Sequence, residues 1–185
     1  MNIIVKPYGG DFCYCRPDTT WERENRDFYS PECVNEIYWT PIIFARISKA
    51  GKCIGPKFAG RYYDGIGYGM LMYCNNTDIA FSSCADHTSI LPHPLHHPEI
   101  LDCEQEFAVM KNCDQLTVIS SACNEWRNLL ENALCKASRL TSLRIGDFIA
   151  LELDKVKSLA TPENGDTEIK GLINGTETFN FKIIF

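Results

Sequence analysis

The sequence predicts an α+β domain that is mostly β and has one dominant helix. Apolar side chains recur with helical spacing only between about residues 122 and 140, while runs rich in β-branched and aromatic residues occupy much of the rest. Near the C-terminus, Asn174-Gly175 separates two such runs, which is a strong signal for a β-hairpin. With 185 residues, of which 45% are hydrophobic, the chain can bury one core, so we expect a single domain over residues 1–185.

The first half of the chain is predicted to form strands joined by long loops. Ile3–Lys6 is a short strand, and the apolar run within residues 36–48 is another. Because Pro41 lacks an N–H group, this run should be an edge strand or two short strands. The segment from Gly65 to Tyr73 is predicted to be a buried strand that ends in a polar turn. Residues 82–99 hold three prolines and all four histidines, which indicates a loop.

The second half is predicted to begin with a strand over Glu104–Lys111, followed by the dominant helix. We expect Ser120 or Ser121 to cap this helix, with Glu125 in its first turn. A Gly-Asp turn leads into a strand over Phe148–Leu153. The apolar positions that carry the helix prediction are Trp126, Leu129, Leu130, Ala133, Leu134, Ala137 and Leu140, and the C-terminal hairpin pairs Asp166–Ile173 with Thr176–Phe185.

The charge pattern argues against two classes of partner. The chain has 18 Lys and Arg residues against 24 Asp and Glu residues, a formal net charge of −6, and its basic residues are scattered. We therefore expect no nucleic acid and no membrane partner. The N-terminus lacks the pattern of a signal peptide and no apolar run approaches about 18 residues, so a cytoplasmic location is expected.

The ten cysteines are spread almost evenly, and only Cys13-x-Cys15 brings two of them close in sequence. Zinc sites need paired cysteine knuckles, and disulfide frameworks belong to oxidising compartments. The expectation is therefore that the cysteines are reduced thiols that fill the core as small hydrophobic side chains.

The order of these parts resembles the fumarylacetoacetate hydrolase family. The resemblance implies a fumarylacetoacetate hydrolase-like mixed β-roll over residues 1–185, with one main helix at about 122–140, and a homodimer. The segments that carry it are Val5-Lys6-Pro7, the Gly-Tyr strand of 64–78, the Gly146-Asp147 turn within 143–151, and the C-terminal hairpin that begins at Asn164-Gly165-Asp166.

The resemblance also implies a divalent cation, Mg²⁺ or Mn²⁺, held by three carboxylates in the family. One alignment of the 36–46 strand places Ile37 and Trp39 at the first two ligand positions, and a shift by one residue places Glu36 and Tyr38 there. Tyr73 takes the position of the third ligand. Neither register restores the carboxylates, so none of the family ligands is kept.

Two functional hypotheses follow. The first is a catalytically degenerate relative, without a cofactor, that binds a small molecule or a protein partner through the old pocket, lined by Tyr73, Trp39, Tyr38, Tyr68 and Asp78. The second is an active metal-dependent hydrolase, decarboxylase or isomerase of oxo-acid, acylpyruvate-like metabolites. It would use Mg²⁺ or Mn²⁺ on rearranged ligands, for which the substitutes are Glu36, Glu152 and Asp154, with Asp78 nearby. In the alternative interpretation, Glu152 and Asp154 lie on the solvated face of a strand.

The histidine-rich loop offers one further pattern. His93-x-x-His96 has a spacing that zinc or nickel sites use, but prolines interrupt it and a plain surface loop is the simpler interpretation. Cys84 lies three residues before His87, which is the arrangement of a thiol and a base only if the fold brings their side chains together.

Overall fold

A computed structural model of the chain describes residues 1–75 and 79–185. Within them, helices α1 and α2 span Ile79–Ser82 and Glu125–Leu140. The strands are β1 (Ile3–Lys6), β2 (Tyr14–Arg16), β3 (Trp21–Glu22), β4 (Phe28–Tyr29), β5 (Ile37–Ile47), β6 (Tyr63–Cys74), β7 (Ser89–Ile90), β8 (Gln105–Lys111), β9 (Asp114–Ser121), β10 (Phe148–Glu152), β11 (Lys157–Ala160), β12 (Thr167–Ile173) and β13 (Thr176–Ile184). The predicted class, α+β and mostly β with one main helix, is confirmed.

The strands form two mixed sheets. The first sheet has the order β2-β1-β10-β5-β6-β7-β3, and β11 pairs with β5 beyond the end of β10. Its pairs are antiparallel except for β1 with β10 and β3 with β7. The second sheet has the order β4-β13-β12-β8-β9, in which only β4 and β13 run parallel.

The two faces of the first sheet bury different groups of side chains. On one face, Ile43 and Tyr68 pack with α2 and the second sheet in the main core. On the other face, a smaller apolar cluster surrounds Tyr73. Since side chains alternate along a strand, each strand of this sheet contributes to both faces. The smaller cluster consists of Ile3, Val5, Ile42, Phe44, Leu71, Tyr73, Leu91, Phe148 and Ala150.

The prediction that Pro41 marks an edge strand or a break is wrong. Pro41 lies inside one continuous strand, β5, which has neighbours on both sides. On one side, the β10 pairing ends at Glu152 opposite Ile42 and the β11 pairing begins at Lys157 opposite Trp39. The Pro41 carbonyl, which faces this side, accepts a 2.9 Å bond from the Leu153 N–H. Because Pro41 lies at the gap between two partner strands, its missing N–H leaves no ladder bond broken.

The start of the main helix also differs from the prediction. The helix begins at Glu125 after Asn124, which has φ 60°, whereas Ser121 ends strand β9 and caps nothing. Strand β9 was not predicted, because it is an edge strand with mostly polar, exposed side chains. Glu125 does stand in the first turn, where its carboxylate accepts a 3.3 Å bond from the Ala122 N–H.

The C-terminal hairpin is confirmed. Asn174 and Gly175 form a two-residue turn with φ values of 48° and 78°, which are the positive values that a type I′ turn requires. The register places Phe181 opposite Ile169. Phe179 lies opposite Gly171, where any added Cβ would meet the Phe179 ring at 2.2 Å.

The cysteines are free thiols, but most of them do not fill the core. Only Cys74 and Cys135 are buried, and Cys13 is half-buried. Burial raises the pKa of the Cys74 thiol to about 11, so this side chain behaves as an uncharged core residue. The expectation of core-filling thiols is therefore wrong for the exposed ones, Cys15, Cys33, Cys53, Cys84, Cys103, Cys113 and Cys123. Among the described residues, no helix has the length and apolar character needed to span a membrane.

Candidate functional site

Three polar side chains meet on the face of the first sheet that carries the smaller apolar cluster. Tyr73 comes from β6, Glu152 from the end of β10, and Tyr14 from β2. The strands β1, β10 and β5 separate β2 from β6 in the sheet order. The Tyr14 and Tyr73 hydroxyls are nevertheless 2.6 Å apart. The sheet must therefore curl strongly, and its concave side holds what we term the Tyr–Glu cluster, composed of Tyr14, Tyr73 and Glu152.

Each polar side-chain group of the Tyr–Glu cluster has a hydrogen-bond partner. The Tyr73 hydroxyl donates to Glu152 Oε1. Since its single proton is used there, the Tyr73 oxygen accepts from the Tyr14 hydroxyl. Glu152 Oε2 accepts a 2.8 Å bond from the Tyr8 N–H. Glu152 is only 6% exposed, so these bonds replace the water that its carboxyl group loses on burial.

Arg16 supplies a positive charge beside the cluster and is only 1% exposed. Its Nη2 donates to the Met72 carbonyl at 2.7 Å and to Thr88 Oγ1 at 2.8 Å. Its Nε donates to the Ser83 carbonyl at 2.9 Å, and its guanidinium carbon lies 5.0 Å from the centre of the Tyr73 ring. Within the described chain, Nη1 has no hydrogen-bond partner. The guanidinium thus holds the Tyr73 ring through a cation–π contact while it bonds to the backbone around it.

Burial raises the pKa of each member of the Tyr–Glu cluster. Burial is the largest cause of the raised pKa of Tyr14, about 12, and of the raised pKa of Tyr73. It also raises the pKa of Glu152, against the lowering effects of the Tyr73 and Tyr8 hydrogen bonds and of Arg16 and Lys6. The two phenols therefore stay protonated, and burial favours the protonated form of the Glu152 carboxyl group.

The other two predicted carboxylates are engaged elsewhere. Glu36 accepts 2.6 Å bonds from the Tyr38 hydroxyl and from Ser158 Oγ. Asp154 lies beyond the end of β10, where it accepts from the Lys155 N–H at 2.7 Å and from Lys157 Nζ at 2.6 Å. In the described part of the chain, no three His, Cys, Asp or Glu side chains are close enough together to hold a metal ion. The interpretation that Glu152 and Asp154 both lie on the solvated face of a strand is therefore wrong for Glu152, which is buried. Asp154 is half-buried.

The four predicted aromatic side chains lie on two faces of the sheet. Tyr38 stands directly opposite Tyr73 in the β5–β6 register, on the side of the Tyr–Glu cluster. Trp39 and Tyr68 face the main core. Of the two alignments of this strand, the one with Glu36 and Tyr38 is therefore the one that shares a face with Tyr73. A binding role for the four residues stays a prediction, and Asp78 lies outside the described residues.

The histidines have separate surroundings. His87 Nδ1 lies 3.0 Å from Glu22 Oε2, and Cys84 Sγ bonds to the Ala80 carbonyl. His97 is exposed beside Glu99. His93 and His96 line one cavity together with Tyr68, but no third metal-ligating side chain from the described residues joins them.

A cavity of about 460 Å³ opens beside Glu152, between the end of β10 and helix α2. Its charged lining residues include Lys6 and Lys136 as well as Glu125 and Glu152. Lys6 Nζ donates to the backbone carbonyls of Pro7 and Gly10, while Lys136 Nζ lies 3.6 Å from Asp11. The cavity is therefore lined by two ammonium groups and two carboxyl groups, and of the two lysines Lys6 acts electrostatically on Glu152.

The sequence did not point to Tyr14, Arg16 or the Tyr8 N–H. Tyr14 and Arg16 belong to a three-residue edge strand, and their alternation is too short to distinguish a strand from a loop. Their importance arises from the pairing of β2 with β1 and from the curl of the sheet.

No family profile and no curated protein matches this sequence. Solved structures with similar folds do exist. Fumarylpyruvate hydrolase from Pseudomonas aeruginosa, in complex with Mn²⁺ and pyruvate, has a TM-score of 0.82 at 13% identity, over 100% of this chain and 90% of that one. A protein from Yersinia pestis CO92 assigned to the fumarylacetoacetate hydrolase family has a TM-score of 0.79 at 12% identity, over 99% and 92% of the two chains. 5-Carboxymethyl-2-hydroxymuconate delta-isomerase from Mycobacterium smegmatis has a TM-score of 0.80 at 12% identity, over 99% of this chain and 76% of that one.

Proposed function

Because this chain has the fumarylacetoacetate hydrolase fold, we propose that it is a divergent, catalytically degenerate relative of that family that binds a small carboxylic acid without a divalent cation. The observation that carries the proposal is the environment of Tyr73. This residue stands where the resemblance places the third metal-binding carboxylate, and its hydroxyl is bonded to both Tyr14 and Glu152. A hydrogen-bonded network of two phenols and one carboxyl group takes the place of a cation and its ligands.

The residues of the Tyr–Glu cluster do not fit Mg²⁺ or Mn²⁺. These cations prefer hard oxygen ligands, chiefly carboxylates, and a protein ligand must lose its proton to bind them well. The cluster offers one carboxyl group and two phenols, and burial raises the pKa of all three. Arg16 adds a fixed positive charge whose guanidinium carbon is 5.0 Å from the Tyr73 ring centre, which further opposes a cation.

The cavity beside Glu152 supports a small carboxylic acid as the ligand. Its volume, about 460 Å³, lies within the range of small-molecule sites. Lys6 uses two of its three N–H donors on backbone carbonyls, which leaves one for a ligand. Lys136 adds a second ammonium group. The similar fold from Pseudomonas aeruginosa binds pyruvate, which supports the same ligand class here.

The alternative, an active metal-dependent hydrolase, decarboxylase or isomerase of oxo-acids, would need Glu36, Glu152 and Asp154 to act on one cation. In the described chain these carboxylates have separate partners: Tyr38 and Ser158, Tyr73 and Tyr8, and Lys155 and Lys157. No single observation favours their rearrangement into a site, so we propose binding rather than catalysis.

Thermal unfolding in the presence of EDTA tests this function. Pyruvate should raise the Tm without added metal, because a ligand that binds only the native state stabilises it. Lys136→Met should reduce the rise, whereas the matched control Lys182→Met, at an exposed site away from the cavity, should keep it. A Tm that rises with pyruvate only when Mn²⁺ is added would contradict the proposal.

A further inference from the structure

The cavity beside Glu152 extends along one face of helix α2. The α2 residues that line it recur at helical spacing, so they share that face. Leu129 and Lys136 lie two turns apart on it, about 10 Å along the helix axis. The cavity therefore has two ends with different walls. Its lining residues from α2 are Glu125, Trp126, Leu129, Asn132, Ala133 and Lys136.

The end of the cavity at Lys136 holds two ammonium groups. Lys6 Nζ donates to the Gly10 carbonyl. Lys136 Nζ lies 3.6 Å from Oδ1 of the next residue along the chain, Asp11. Burial raises the pKa of the Cys13 thiol while the charges of Lys6 and Lys136 both lower it, so both ammonium groups are near this one thiol. Asp11 is 86% exposed, so its ion pair with Lys136 contributes little and a ligand carboxylate can replace it.

The other end of the cavity lies at the start of α2 and has apolar walls. Ile119 belongs to this end, because the Ala122 N–H donates to Glu125 and so holds the end of β9 against the first turn of the helix. Leu129 is 47% exposed, so a ligand in the cavity can cover its apolar surface. Such covering is favourable, because it removes apolar surface from water. The large apolar side chains of the whole lining are Ile119, Trp126, Leu129, Leu151 and Leu153.

The charges of the lining limit the charge of the ligand. Glu125 lines the apolar end, about 16 Å from Lys136 along the helix axis. A second carboxylate on the ligand would meet Glu125 and apolar side chains, where its lost hydration is not replaced. A cationic head group would meet Lys6 and Lys136 instead. The lining therefore favours a ligand with one negative charge at one end and an uncharged, apolar remainder.

We propose that the ligand of this cavity is a monocarboxylic acid with an extended apolar body, of which hexanoate is the probe. The carboxylate lies by Lys6 and Lys136, and the apolar body runs along α2 toward Leu129 and Ile119. This inference rests on the proposed function, since it takes the ligand to be an acid, and it adds the chemistry of the part away from the charge. The ammonium groups orient the ligand, while the apolar body supplies much of the affinity.

Titrations with acids of increasing length, in EDTA at neutral pH and followed by amide NMR shifts, test the apolar body. Each additional buried CH₂ group should tighten binding roughly fourfold, so hexanoate should bind at least about tenfold more tightly than butanoate. The signals of residues 6–9, 119–120 and 129–136 should shift. Adipate and hexylamine have the same number of carbon atoms as hexanoate but carry a second carboxylate or an ammonium group. Both should bind at least about tenfold more weakly than hexanoate.

The outcomes separate this inference from the proposed function. Pyruvate binding without any gain from chain length would overturn the inference and leave the proposed function in place. Equal affinities of hexanoate and adipate, or of hexanoate and hexylamine, would also overturn the inference. If no acid shifts these signals, or if every acid binds only after Mn²⁺ is added, both proposals are wrong.

Substitutions in the apolar wall test where the body lies. The readout is the ratio of the hexanoate affinity to the pyruvate affinity, because a general loss of structure would weaken both acids alike. Leu129→Asn should lower this ratio about tenfold, whereas the matched control Leu140→Asn, at an exposed leucine of α2 outside the cavity, should keep it. Ile119→Thr, at a half-buried position of β9, should also lower it and decides if Leu129→Asn fails to fold. An unchanged ratio in the folded wall variants would overturn the inference.

Discussion

The hydroxyl groups of Tyr14 and Tyr73 lie 2.6 Å apart although three strands separate β2 from β6 in the sheet. This contact closes the concave side of the curled sheet over Glu152, which accepts a hydrogen bond from Tyr73. Hydrogen bonds among these three side chains thus lie at the position where the resemblance implies a metal ion.

Tyr73→Phe should destabilise the protein by about 1–3 kcal/mol, because it leaves Glu152 Oε1 and the Tyr14 hydroxyl without their partner in a buried site. Denaturant unfolding followed by circular dichroism measures the change. The matched control is Tyr29→Phe, which removes the hydroxyl of an exposed tyrosine and should leave the unfolding midpoint unchanged. Equal midpoints for the two variants would show that the Tyr–Glu cluster contributes nothing to stability.

Glu152 should make stability depend on pH. Its pKa is raised in the folded state by burial, so the folded protein binds more protons than the unfolded chain between the ordinary carboxyl pKa, 4.5, and the raised value. The contribution of Glu152 is therefore full at low pH and is lost as the pH rises through the folded pKa. Glu152→Gln mimics the protonated form, so it should gain stability relative to the wild type from pH 4 to pH 7.

The control for this series is Glu163→Gln, which changes an exposed carboxylate. Its stability relative to the wild type should stay constant over the same pH range. If the wild type instead gains on Glu152→Gln as the pH rises, Glu152 has a lowered pKa in the folded state and the description of the cluster is wrong.

Gly175→Val should destabilise the domain by about 1–3 kcal/mol, because Gly175 has φ 78° and a β-branched residue is strained in that region. No atom would crowd the new Cβ, so the loss would come from the backbone alone. Chemical denaturation provides the measurement. An unmoved midpoint would mean that the turn tolerates other geometries and contributes little to the register of β12 and β13.

The homodimer that the resemblance implies stays a prediction. Phe12, Tyr29 and Phe81 are large, exposed aromatic side chains that a second copy would cover. Sedimentation velocity at about 10 μM should show a dimer, since interfaces of about 1,600 Å² commonly persist at that concentration. A single species with the mass of one chain would contradict this expectation.

Local patterns predicted the main helix and most of the long strands. Asn174-Gly175 determined the hairpin, and helical spacing located α2 to within a few residues of its start. Pro41 misled the prediction, because a residue without an N–H can still lie in a central strand where two partner strands leave a gap. The Tyr14–Tyr73 contact was beyond local reasoning, since it depends on how far the sheet curls between residues 59 positions apart.

Calorimetric titration of the wild-type protein with Mn²⁺ at neutral pH tests whether the Tyr–Glu cluster replaces the metal site. We expect no saturable binding in the micromolar range, because the cluster offers only one carboxyl group, which is bonded to Tyr73 and Tyr8. Tyr73→Asp alone should not create binding either, since two further carboxylates are still lacking. Saturable micromolar binding of Mn²⁺ by the wild-type protein would contradict the account and favour the metal-dependent enzyme.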